Sequence, residues 1–451
     1  MRALLRAAAA RWRHEPPDRL VTLVERLARS GRCDNLLAAR LCGERLLLDA
    51  PDAPFAHAGR GVAAQVIGTG PERLGTVGRD GTALLAGLLE LRGDGAHDAP
   101  PPALFGGAAF QPGEAADPAW EGFGEAAFTL PRWLLSTGAR CTFLRLTVTV
   151  AELEDPLRLL REHVAIEVAL ALPDRPARPG PRSLAFLAEQ RPEGYRGNVA
   201  QALAAVGAGT LRKVVLARRS LLLLEGPADP AGTLLRLAAA LPSSTRFAVE
   251  RGGGLFLGAT PERLVTLRGA RFVTEALAGT WRAGDEAAAR ALLAAPKELH
   301  EHALVVAGIA SALAPFAVLD PSGPPELRRL PTLCHLVTPL AGTLRAPAHV
   351  LELVAALHPT PAVGGLPRED ALRFIRAAEP CPRGWYAGPI GWFDAAGDGA
   401  FVVAIRSAVL RGSSAWLYAG AGIVAGSQPE QEYRETLAKQ ETMLGALREG
   451  P

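Results

Sequence analysis

Cysteine is scarce in this chain. Five residues in 451, Cys33, Cys42, Cys141, Cys334 and Cys381, are odd in number and show no CxxC spacing, which speaks against a disulfide framework and a zinc ribbon. A reducing cytoplasm is the expected setting. Long apolar runs are missing too. A membrane-spanning helix needs about 18 or more apolar residues, and the nearest stretch, Val305–Leu319, is interrupted by Pro315. Nor is there an excess of one charge: 49 Lys and Arg against 46 Asp and Glu leave a net charge of +3, too balanced for a nucleic-acid or anionic-membrane partner. Lysine and asparagine are few beside arginine, alanine, leucine and glycine, the mark of GC-rich coding, so basicity says little about partners. Met1–Arg13 is arginine-rich and free of acids. That weakly resembles a transit peptide, and an amphipathic N-terminal helix is the simpler reading.

What remains is ordinary globular composition, with 49% hydrophobic and 21% charged residues, in a length that supports a large core. Residues 1–180 alternate short apolar runs with Gly/Pro/Ala stretches, and Leu144–Leu153 has strand alternation. Pro173–Arg182, with four prolines, reads as a connector. Beyond it the pattern predicts a helix over Gly194–Ala208, a buried strand at Lys213–Arg218 and a strand Leu255–Gly258 ending in the turn Ala259–Glu262. It also predicts a hairpin of Leu264–Leu267 with Arg271–Thr274 and a helix over Ala287–Leu313. Late strands follow at Phe401–Arg406 and Ala415–Ala419, then a closing helix from about Gln428 with Ser427 and Glu430 at capping-box spacing. Strands, hairpins and helices mix without strict βαβ alternation, which implies a mixed sheet assembly flanked by helices.

Two helical stretches each offer carboxylates three residues apart: Glu298 with Glu301, and Glu432 with Glu435. Positions i and i+3 share a helix face, so each pair forms one acidic patch. Two facing patches would make an oxygen-rich pocket suited to a hard divalent cation. His300 and His302 point about 200° apart on a helix and do not form HExxH, so zinc hydrolysis is not indicated. Gly420-Ala-Gly422-Ile-Val-Ala-Gly426 is one residue too long for a dinucleotide fingerprint; an anion nest of backbone amides fits better, with a plain tight turn as the bland alternative. Lys213 opens an apolar strand, where a lysine is commonly a strand-end snorkeller. If enclosed, its amine loses protons more readily and becomes a candidate base for water. Glu262, at a strand–turn junction, is a surface residue or, in an apolar pocket, a candidate general acid. Arg406 follows Val-Val-Ala-Ile, where a guanidinium needs a partner or an anion. Tyr386, His335 and Lys439 are isolated polar positions.

Read together, these pieces match a family. KVVLAR (Lys213–Arg218), FLGATPER (Phe256–Arg263), TEALAGT (Thr274–Thr280), KELHEHALV (Lys297–Val305) and PTLCH (Pro331–His335) occur in that order. They are followed by LHPTPAVGGLPR (Leu357–Arg368), RGWYAGPIGW (Arg383–Trp392), AIRSA (Ala404–Ala408), LYAGAGIV (Leu417–Val424) and PEQEYRETLAK (Pro429–Lys439). The set resembles the chorismate-utilising enzymes and, within them, the isochorismate synthases, over about residues 185–445. The resemblance implies Mg2+-dependent conversion of chorismate by water addition at C2 with loss of the C4 hydroxyl. It casts Lys213 as the base and Glu262 as the acid. Glu301 and Glu435 become direct Mg2+ ligands, with Glu298 and Glu432 bridged through water or one sphere out. Arg406, Tyr386, Lys439 and the amides of Gly420 and Gly422 resemble the carboxylate cradle, and His335 with the loop Ala278-Gly279-Thr280 lines the pocket. Lys213 separates the chain from anthranilate synthases, which use ammonia. Ala278 stands where aminodeoxychorismate synthases carry a lysine. Ala362 stands where salicylate synthases commonly have threonine.

The expectation is an α/β protein of the α+β type, with two packed, mainly antiparallel sheets flanked by helices, like anthranilate synthase component I. Residues 1–180 would form a variable part of that one domain, and 181–451 its chorismate-binding catalytic core. The function expected is isochorismate synthase, feeding menaquinone or siderophore and salicylate synthesis; a salicylate synthase is the runner-up, and a non-catalytic anion-binding protein stands further off. Chorismate is the expected small-molecule partner and Mg2+ the cofactor, with no nucleic acid and no membrane. A cytoplasmic monomer is expected, a dimer being left open.

Overall fold

The computed structural model describes residues 1–28, 33, 43–114, 116–171, 181–188, 191–282, 293–329 and 333–448, the side chains of 279–282 and 333 excepted. The connector expected at Pro173–Arg182 lies outside them, save its last two residues.

Among the described residues 21 strands are joined by hydrogen bonding. One arm runs from Ser183–Ala188 through Lys213–Leu224, Ser414–Ile423, Ser407–Arg411, Gly254–Thr260, Thr245–Arg251, Arg45–Asp49 and Phe55–Gly68 to Ala126–Gly138. There the assembly forks. A short branch continues through Thr142–Thr149 and Leu20–Leu27 to Leu89–Arg92. The second arm passes through Ala103–Ala108, Pro389–Asp394, Gly399–Val403, Arg263–Arg268 and Arg271–Arg282 to Leu333–Leu344. Each of these pairings is antiparallel except that of Leu20–Leu27 with Leu89–Arg92.

The two arms pack on one core. Phe247 and Phe256 from the first arm share it with Phe128 of the strand at the fork and with Phe272 and Phe401 from the second arm. Phe247 and Phe256 stand 5.2 Å apart and Phe128 and Phe401 5.9 Å, and full burial of such a ring stabilises by about 1.5–3 kcal/mol. The fold is therefore of the expected mixed α/β type, a large, mainly antiparallel sheet assembly whose two arms pack on one core, with helices against it. The two halves of the chain share it: Arg45–Asp49 pairs with Thr245–Arg251, and Ala103–Ala108 with Pro389–Asp394.

Three elements position the site. The strand Lys213–Leu224 (KVVLARRSLLLL) is buried at its first six residues, as β-branched and leucine side chains covered on both faces should be. The helix Pro296–Leu313 starts with proline at N1 and buries His302, Val305, Ile309 and Leu313, one stripe at helical spacing; Pro315 lies just past its end. The expected residues 287–292 of this helix lie outside the description. The closing helix Pro429–Leu447 has Gln428, not Ser427, as N-cap, because Pro429 takes N1 and pre-sets the helical φ there. Ser427 instead accepts a hydrogen bond from the Val424 amide. No helix among the described residues is long and apolar enough to cross a membrane.

Candidate active site

Where the closing helix, the helix Pro296–Leu313 and the ends of the central strands converge, they enclose a cavity. Gly422 decides how tightly. It lies in the strand Ser414–Ile423 opposite Val215, and a Cβ there would strike the Glu301 carboxylate and reach 3.2 Å from Lys213 Cε. Glycine leaves the room in which Lys213 Nζ meets Glu301 Oε1 at 2.7 Å, with the lysine side chain 1% exposed. The glycine segment is therefore not an anion nest. Gly420 and Gly422 continue a regular antiparallel strand, paired with Ala217 and Val215, and of the glycines in this segment only Gly426 takes a positive φ, 87°.

The four helical acids gather beside Lys213. Burial pushes the Glu298 carboxyl up to about 7, helped by the charges of Glu301, Glu435 and Glu432 and opposed by Lys297. Burial and the Glu435 charge also raise Glu432, against Lys297 and Ser427. Burial would raise Glu301 too, yet the charge and hydrogen bond of Lys213 outweigh it and hold the carboxyl below its ordinary range. Each acid has a lysine. Lys297 Nζ donates to Glu432 Oε1 at 3.0 Å and stands 3.8 Å from Glu298 Oε1, while Lys439 is ion-paired with Glu435 and donates to the Gly420 carbonyl at 2.8 Å. With lysines between them, no three acid, imidazole or thiol side chains among the described residues stand as a ready ligand set. The chemistry nonetheless fits a hard divalent cation: four carboxylates and no softer donor, their buried charges raising one another.

Glu262 faces the cavity from the other side. It is 4% exposed in the turn after Gly254–Thr260, its amide donating to Thr260 Oγ1, which in turn donates to the Val403 carbonyl. Burial, with the neighbouring Glu275 charge, pushes its carboxyl up to about 8 against the pull of Lys213, Lys439 and Arg328. Glu275 is gripped by Arg328 through Nη1–Oε1 at 2.6 Å and Nη2–Oε2 at 2.8 Å, and Arg328 also donates to the Pro261 carbonyl.

Arg406 is not on a strand. The strand ends at Val403, and Arg406 takes φ 53°, as Ala387 beside Tyr386 takes 58°. Among the described residues these are the two non-glycine positions with positive φ, and both line the cavity; such backbone is held only where its surroundings over-determine it. Tyr386 stacks on Tyr418 at 5.0 Å and 16°, and burial pushes its hydroxyl up to about 12, so it stays a donor. Tyr418 receives a hydrogen bond from Trp120 Nε1 at 2.8 Å, a support from the N-terminal half. Burial holds the Arg406 guanidinium below its ordinary value, against the opposing pull of Tyr386, Glu435 and Glu262, so an anion in the cavity would be welcome to it.

Most residues singled out from sequence meet here. Glu262, Ala278, Glu301, His335, Tyr386 and Arg406 line the cavity, as do Gly420, Gly422, Glu435 and Lys439. Lys213 reaches it through Glu301, and Glu298 and Glu432 stand behind. The register slips between Ala278 and Thr280, a bulge of the kind that re-aims side chains at sites; the side chains of 279–282 lie outside the description. His300 and His302 part as expected, His300 exposed and His302 buried with Nε2 2.7 Å from Thr338 Oγ1. Sequence reading missed the Arg328–Glu275 grip, the Trp120–Tyr418 support and Lys297. The first two join residues 53 and 298 positions apart and leave no local signal. The third left one: Lys213, Lys297 and Lys439 are the only lysines of the chain.

A family model described as "Chorismate binding enzyme" matches residues 6–448. The chain belongs to the chorismate-binding enzymes. The enzyme is 40% identical over 356 residues to the salicylate biosynthesis isochorismate synthase of Pseudomonas aeruginosa, covering 77% of this chain and 74% of that one. It is 37% identical over 358 residues to the isochorismate synthase MenF of Bacillus subtilis, covering 78% and 76%. Among solved structures, the menaquinone-specific isochorismate synthase MenF of Escherichia coli superposes with a TM-score of 0.79 at 26% identity, over 99% of both chains. Anthranilate synthase component I of Streptococcus pneumoniae, at 21% identity and a TM-score of 0.69 over 88% of this chain and 93% of that one, shares the fold.

Proposed function

We propose that the enzyme is an isochorismate synthase with Mg2+ as its cofactor. The supporting observation is Glu262, a buried carboxylic acid that keeps its proton to about pH 8 across a cavity from an enclosed lysine. Glu262 gives that proton to the departing C4 oxygen, so that hydroxide leaves as water. Lys213 takes a proton on Nζ from the incoming water as its oxygen bonds to C2. One C–O bond forms and one breaks, and the product is an isomer of the substrate. Arg406, Tyr386 and Lys439 hold the substrate carboxylates, beside Gly420 and Gly422, with His335 and the loop from Ala278 through Gly279 to Thr280 against the ring. Glu301 and Glu435 would hold Mg2+ directly, and Glu298 and Glu432 through water; when bound it would supply the charge that lets four carboxylates face a dianion.

Ala362 on the cavity wall carries no hydroxyl, which favours release of isochorismate over further elimination of pyruvate. We place the enzyme in the cytoplasm as a monomer, with residues 181–451 as its catalytic core and 1–180 as the variable part of the domain. Incubating it with chorismate and Mg2+ and separating the products by chromatography tests the reading. Isochorismate is expected. Salicylate with pyruvate would make it a salicylate synthase, and a product that requires ammonia would make it an aminating enzyme.

A further inference from the structure

Of the chain's 49 basic residues three are lysines and the rest arginines. Lys213 and Lys439 have roles in the reading above, on which this inference rests; Lys297 has none. Its position is not explained by local preference. It lies in the first turn of the helix Pro296–Leu313, where the helix dipole disfavours a cation. The two partners of its ion pair differ in exposure: the Glu432 side chain is 3% exposed and that of Lys297 33%, so the acid is confined while the lysine reaches it on a flexible, partly solvent-exposed four-carbon stem. Its Nζ reaches Glu432 on the facing helix and Glu298 on its own, two of the four acids assigned to the metal.

We infer that Lys297 is a tethered, displaceable counter-cation: it occupies the acidic gap between the two helices when no divalent ion is there and swings outward when one arrives. The site is then never a bare cluster of repelling carboxylates, and metal affinity is set by competition with an ammonium of the chain itself. This accounts for lysine in a chain that otherwise uses arginine. A planar guanidinium would grip carboxylates with several fixed donors and yield them reluctantly, whereas an ammonium is a compact point charge that rotates away.

The test needs no turnover. Mg2+ is titrated calorimetrically into the full-length protein, and Mn2+ binding is followed by electron paramagnetic resonance, for the parent, Lys297→Met and Lys297→Arg. Metal-free and Mg2+-saturated melting temperatures are recorded beside them. Lys297→Met should bind both ions about tenfold more tightly than the parent, a factor typical of one removed coupling, and should melt lower than the parent without metal while regaining that loss with Mg2+. Lys297→Arg should move the other way, with weaker metal binding and a higher metal-free melting temperature. A purely structural lysine would not give opposite signs in the two variants. Equal or weaker affinity in Lys297→Met overturns the inference, even in an enzyme that makes isochorismate. Absence of divalent binding by the parent overturns it together with the Mg2+ assignment. Tighter binding by Lys297→Met in a protein whose product is not isochorismate leaves the inference standing and removes the proposed activity.

Discussion

On the helix side of the cavity four glutamates face three lysines, two from the helices and Lys213 from a strand, while on the sheet side one arginine holds one glutamate in a two-bond fork. Arg328 and Glu275 are fixed further by the Pro261 carbonyl and the Arg263 amide, so the charge near Glu262 is constant and its carboxyl has one environment. On the helix side each ammonium touches a carboxylate proposed to hold the divalent ion, and on that proposal its pairing has to be given up where the Arg328–Glu275 fork stays.

Breaking the chemical pair should have the largest effect. Glu262→Gln and Lys213→Ala are each expected to lower kcat by about 10²–10⁴-fold, with chorismate binding little changed. With Glu262 in the proposed role of acid and its carboxyl at about 8, parent activity should fall as pH rises through that value. The sign is the same for stability: the neutral carboxyl suits the folded site, so its contribution is full below the ordinary value of 4.5 and is lost as pH rises through about 8. A parent profile with no alkaline limb, or a limb that survives in Glu262→Gln, would remove the assignment.

Arg328→Met tests whether the sheet side is a fixed charge. It strands a buried carboxylate, which should cost about 1–3 kcal/mol in urea unfolding. Arg328 also pulls the Glu262 carboxyl down, so the alkaline limb should move to higher pH; a downward move would mean that Glu275, not Arg328, dominates. The smallest expected effect is that of Trp120→Phe, which keeps an aromatic ring and removes the donor to Tyr418. Loss of one neutral hydrogen bond, about 0.5–1.5 kcal/mol, should raise KM for chorismate several-fold and leave kcat near the parent value. A change in kcat alone would place Tyr418 on the chemistry instead of on binding.

The strands and helices that carry the site were legible because their signals are local. KVVLAR is apolar and β-branched enough to be a buried strand, and the hairpin around Arg268-Gly-Ala270 has its turn written in it. The acidic pairs were legible because i,i+3 spacing fixes a helix face whatever the tertiary structure. Arg406 and the glycines were misread for the opposite reason. A positive φ at Arg406 and a glycine at 422 inside a regular strand are both imposed by neighbours: the cavity wall in one case, and Glu301 with Lys213 in the other. Arg328–Glu275 and Trp120–Tyr418 exist only because the sheet brings distant segments together. Lys297 was visible in composition alone, in the near absence of its residue type elsewhere.

The shared sheet bears on how this molecule can be divided. Cutting the chain near residue 180 would strip Arg45–Asp49 from Thr245–Arg251 and Ala103–Ala108 from Pro389–Asp394. The C-terminal piece would keep every acid and lysine of the cavity, yet present two raw strand edges to other copies of itself, and bare edges of that kind seed aggregation. The N-terminal strands are therefore the seam that covers those two edges.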